Sequence, residues 1–127
     1  MASAGAEISE LPSEEGQGAG RSRWRARPVD LVYLAARTRA DRAAEMEILQ
    51  TFVGQMRQCL RSLVPGGDAA ANRTAAARLR AAALAVGAFA LSASAEAVER
   101  NGTDPDAIES VHSRVIEAEN FVSGLCR

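Results

Sequence analysis

The chain has 127 residues and no lysine; all 15 of its basic side chains are Arg. A lysine-dependent phosphate loop, a Schiff-base lysine and a lysine general base are therefore excluded. One histidine (His112) and two distant cysteines (Cys59, Cys126) fall short of the four nitrogen or sulfur ligands that an ordinary zinc site takes. Neither a metal nor a cofactor is expected. No apolar run approaches the roughly 20 residues that cross a bilayer, and no basic segment leads into an apolar one near residue 1. With no CxxC pair either, the expectation is a cytoplasmic protein with reduced thiols and no membrane contact. A net charge of −1 gives no bulk attraction to nucleic acid. Function is expected to rest on surface complementarity rather than on a dense catalytic site, in a single modest domain.

What the chain does have is alanine, 27 of them, and clear helix punctuation. Residues 1–27 read as a disordered arm. Glu7, Glu10, Glu14 and Glu15 stand among Gly, Ser and Ala, with too little apolar surface to offset the entropy of ordering. Arg21, Arg23, Arg25 and Arg27 then alternate around Trp24. That pattern suits an acidic partner or nucleic acid with the indole stacking, but glutamates in the same segment can neutralise it, and a solvated tail is expected.

Residues 28–127 read as one helical domain. Pro28 suits a helix start, with Val29, Leu31, Val32, Tyr33 and Leu34 leading to Arg39. Asp41 can cap a helix to Leu63, whose Met46, Leu49, Phe52, Val53, Met56, Leu60 and Leu63 recur at three and four residues. After Pro65-Gly66-Gly67, Asp68 can cap an Ala-rich helix to Val86, and Gly87 permits a break before a helix to Arg100. Asn101-Gly102 stops that one. Asp104 and Pro105 then open a last helix striped by Ile108, Val111, Val115, Ala118, Val122 and Leu125. No window shows the period of two that a strand needs. The expected fold class is all-α: an antiparallel four-helix bundle with a short additional N-terminal helix, a monomer.

The Ala-rich helix has an unusual outer face. At about 100° per residue, Leu79, Ala75, Ala82, Ala83 and Val86 point one way, toward the expected core. The opposite direction collects Ala70, Ala77, Ala81 and Leu84, with Arg73 and Arg80 on one flank and Arg78 on the other. A small apolar strip lets a partner approach the backbone closely, and guanidinium groups can meet its acids. Alanine is also simply the best helix former, and the same residues admit that plainer reading.

The stretch Ala77-Arg78-Leu79-Arg80-Ala81-Ala82-Ala83-Leu84-Ala85-Val86-Gly87-Ala88 resembles the active-site motif of histidine-containing phosphotransfer domains. Leu79, Arg80, Ala82, Ala83, Gly87 and Ala88 match that pattern in register; Ala77 stands where its phosphorylated His belongs, and Ala81 where its Gly belongs. Residues 29–55 look like the first two helices of bacterial members, and Glu99 closes the next helix as in that family. The resemblance implies a four-helix fold and a receiver domain of a response regulator as partner. It also implies Arg73, Ala77, Arg78, Arg80, Ala81 and Leu84 as the contact face, with Leu79 and Gly87 as structural positions. Alanine has no nucleophile, so the expected activity is binding without phosphate acceptance, and no catalytic residue is assigned. A helical dimerisation module, or a phosphotransferase whose His was changed to Ala77, stays open as an alternative. His112 reads as a boundary residue of the last helix rather than a substitute acceptor. Asp68, Asp104 and Asp106 read as helix-start residues, and both thiols as unreactive.

Overall fold

A computed structural model describes residues 27–126. Among them it holds five helices and no strand: α1 (Leu31–Thr38), α2 (Arg42–Ser62), α3 (Ala69–Val86), α4 (Phe89–Arg100) and α5 (Pro105–Leu125). The expectations that fall on residues 1–26, including Trp24 and three of its four flanking arginines, lie outside the described residues, as does Arg127.

Four of the five helices open on aspartate, because a short carboxylate in extended backbone can reach the unpaired N–H groups of a first turn. Asp30 accepts from the N–H groups of Val32 and Tyr33, Asp41 from Ala44, Asp68 from Ala71 and Asp104 from Asp106. Asp30, not Pro28, therefore begins the first helix. The proline reading fails because Asp30 sits two residues further on and has the capping side chain. α1 ends on two successive left-handed residues, Arg39 (φ 55°) and Ala40 (φ 61°), which nothing in their side chains announces. The exception to aspartate capping is α4, which follows α3 with only Gly87 and Ala88 between and has no side-chain cap.

The stripes read from the sequence form one continuous core. Leu49, Phe52, Met56 and Leu63 from α2 and its end meet Leu79, Ala83 and Val86 of α3, Leu91, Ala95 and Val98 of α4, and Ile108, Val111, Val115, Ala118 and Val122 of α5. Met46, Val53, Leu60 and Leu125 pack at its margin. α3 is the hub, packed on both α2 and α4, while α5 closes against α4 and α2. α1 lies over the end of this assembly: Leu34 is buried, and the Tyr33 ring meets Phe89 edge-on at 5.2 Å.

Two glycines are required by close approach. Gly87 takes φ 80°, and a Cβ there would sit 2.9 Å from the Tyr33 ring, so it both ends α3 and lets α1 pass. At Gly102 a Cβ would fall 2.6 Å from the Ala69 carbonyl oxygen. Beside Gly102 lies the buried side chain of Asn72. Its Oδ1 accepts from Val64 N–H (3.1 Å), and its Nδ2 donates to the carbonyls of Val64 (3.1 Å) and Gly102 (2.8 Å). One amide thus satisfies backbone groups of the α2–α3 and α4–α5 loops together.

Candidate functional site

On α3 the helical wheel is realised with two changes. Leu79, Ala83 and Val86 are buried as expected and Ala75 nearly so, but Ala76 takes the place assigned to Ala82, which is half-buried. The core side of α3 is broader than predicted, because α2 and α4 wrap it from both sides. Opposite them, Ala70 and Ala81 are exposed, Ala77 is half-buried, and Leu84 leaves 39% of its surface open. Ala77, Ala81 and Leu84 thus form an outward strip of small and apolar groups along the middle of the helix.

The two flanks of this strip differ. On the α4 side, Arg80 is paired with Glu99: Nε donates to Oε2 and Nη2 to Oε1 at 3.3 Å. Hydrogen bonding to Glu99, backed by its charge, raises the guanidinium pKa further. The expectation of Arg80 as a cation bordering the strip leaves this pair out: Glu99 lies 19 residues away on the next helix, and nothing in the sequence reveals which arginine it meets. Further along the same side, Arg73 is exposed, and its aliphatic stem lies against Gly102 of the α4–α5 loop.

On the α2 side Arg78 is exposed and has no ion-pair partner among the described residues. It overhangs a cleft between α2 and α3 lined by Gln55, Gln58, Cys59, Ala81, Ala82 and Ala85. Toward the C-terminal end of α3 the cleft becomes apolar, with Ile48 and Phe52 facing Ala85 and Val86. Cys59 forms part of its floor. Burial pushes this thiol up in pKa, and the charge of Arg78 opposes the shift without cancelling it. The cation near Cys59 thus leaves the burial effect dominant, which favours the protonated thiol. Cys126 is exposed, with Sγ 3.6 Å from Met46 Sδ.

The remaining sequence assignments are met locally. His112 is half-buried on α5, and its Nε2–H donates to the Leu63 carbonyl at 3.2 Å. Because a carbonyl only accepts, the proton is on Nε2 and the ring is engaged in holding α5 to the end of α2. Asp68 and Asp104 are caps, and Asp106 lies in the first turn of α5. Among the described residues no group of His, Cys, Asp and Glu is placed to hold a metal ion, and no helix is long and apolar enough to cross a membrane. The features missed by sequence reasoning are the Arg80–Glu99 pair, the Asn72 junction and the cleft. Only Asn72 left a signal, as a polar residue eight positions from Arg80 and three before the buried Ala75. No family model matches this chain, and neither a curated protein nor a solved structure shows significant similarity to it.

Proposed function

We propose that this chain is a non-catalytic module similar to histidine-containing phosphotransfer domains, which binds the receiver domain of a response regulator without accepting phosphate. In this reading α2 to α5 form an antiparallel four-helix bundle with α1 across one end. The observation that carries it is the outward strip Ala77–Ala81–Leu84, since Ala77 occupies the motif position of the phosphoacceptor while Gly87 closes the same helix in left-handed backbone. The partner expected on this reading presents an acidic site. The strip offers a small dry centre with the cation of Arg78 at its edge, suited to a small transient interface.

Phosphoryl transfer needs a nucleophile at the dry centre, and methyl groups stand there. His112 lies away from this strip, on α5, with Nε2 bonded to the Leu63 carbonyl, which supports the same reading. The module would hold a receiver in a docked, unproductive state, sequestering it from active partners.

Titration of the purified chain against receiver domains of response regulators from the source cell tests this. At least one is expected to bind the parent and to bind Leu84→Glu substantially less well, with no acid-labile phosphate appearing on the chain when that receiver is phosphorylated. Binding by none of them, or phosphohistidine on the chain, overturns the reading.

A further inference from the structure

We propose that Trp24 seats in the apolar end of the cleft between α2 and α3, folding the segment before α1 back onto the domain. This end of the cleft encloses 450 Å³, with Ile48, Phe52, Ala82, Ala85 and Val86 on its walls and Glu47 at its rim. Ile48 leaves 37% of its surface open there.

Where the chain enters the domain points to the occupant. Val29 is fully buried and Pro28 half-buried, and Asp30 N–H donates to the Gly87 carbonyl at 3.0 Å. Gly87 directly follows Val86 of the cleft wall, so Val29 and Asp30 lie next to this end of the cleft. Reach is sufficient. The six residues from Trp24 to Asp30 span up to about 20 Å when extended, whereas Ala82 lies only about 7.5 Å along the α3 axis from Gly87.

The chemistry fits as well. Trp24 is the only tryptophan, a large flat ring for which the chain outside the described residues has no comparable apolar partner. Arg23 and Arg25 flank it. Glu47 is exposed and makes no ion pair among the described residues, leaving a carboxylate at the rim for one of those guanidinium groups. The indole would cover Ile48 and Ala85 while the arginine neutralises Glu47. A second copy or a foreign helix has no comparable tether at this point. The proposal concerns the chain alone and does not rest on receiver binding.

The single tryptophan makes the test direct. In the full chain, its emission should lie to the blue of the same chain in denaturant, and acrylamide should quench it several-fold less effectively. Ala85→Arg and Ile48→Arg alter exposed positions, and each should abolish both effects while far-UV helicity is retained. Glu47→Arg should reduce the shielding partially, by an amount that shrinks with salt. Quenching of the native chain equal to that of the denatured chain overturns the proposal whether or not the variants fold. So does shielding that survives both arginine substitutions in folded protein, or shielding that fades on dilution, which would identify a second copy as the source.

Discussion

The two flanks of α3 are built from the same residue types and have opposite characters. Toward α4 the helix is wired: Asn72 reaches Gly102, and Arg80 is held by Glu99. Toward α2, Arg78 is unpaired among the described residues and the neighbouring alanines open onto a cleft. An arginine two positions from another can thus be structural while its neighbour is available. Which of them is paired within the domain is decided by the acids of the adjacent helix, not by position in a motif. The difference sets a side of α3 held by side-chain bonds against one that is open, and under the proposed function recognition would use the open side.

The comparison can be broken most severely at Asn72. Asn72→Ala leaves the buried Gly102 carbonyl and the part-buried Val64 N–H without this amide, although the Val64 carbonyl keeps the Gly67 N–H, and should cost about 3 kcal/mol. The melting midpoint should fall by more than about 10 °C. A midpoint within a few degrees of the parent would mean that the wired flank is not where stability lies. Next in size is Leu84→Glu, which sets a carboxylate in the dry strip. It should weaken receiver binding by about 2 kcal/mol in a titration, with the midpoint unchanged because the position is partly open.

Comparing the two arginines sharpens the contrast. Arg78→Ala should weaken receiver binding by about 1 kcal/mol at low salt, an effect that declines as salt is raised. Arg80→Ala should act mainly on stability, through loss of the Glu99 pair, and less on binding. The reverse ordering would show that the docked partner displaces Glu99 and takes Arg80. The smallest effect is chemical: at neutral pH a maleimide should label exposed Cys126 and leave Cys59 unmodified until the chain unfolds. Since the folded Cys59 pKa is raised, its contribution to stability is present below the unfolded value near 9 and declines as pH rises through the folded value. A titration of the midpoint against pH should fall on the alkaline side and lose part of that fall in Cys59→Ala.

Much of the fold is legible in the sequence because its signals are local. Asp41, Asp68 and Asp104 act within three residues of themselves, and the stripes of α2 and α5 record one buried face each. Gly87 is legible for the same reason, as the glycine whose left-handed backbone ends α3. The candidate strip was also within reach, since helical geometry alone turns Ala77, Ala81 and Leu84 outward. What escapes is the pairing of distant residues. Arg80 with Glu99, Asn72 with Gly102 and the two walls of the cleft all depend on how helices lie against one another, and no spacing within one helix encodes that. Ala82 was misplaced for a related reason: the width of a buried face depends on how many neighbours cover it.

The junction at Arg39 and Ala40 bears on how the molecule can change over evolutionary time. Two consecutive non-glycine residues in left-handed backbone each cost about 1 kcal/mol or more. They are held by Ala40 N–H on the Ala35 carbonyl at 2.9 Å and Asp41 N–H on the Thr38 carbonyl at 3.1 Å. Because that expense is already met by the surrounding bonds, replacing Ala40 with glycine would relieve it, yet would also let the corner sample other angles. The alanine keeps α1 at one bearing relative to α2, and so keeps Tyr33 and Asp30 in register with Gly87. Drift at this corner would be felt first where α1 packs on the end of α3, before it altered the rest of the core.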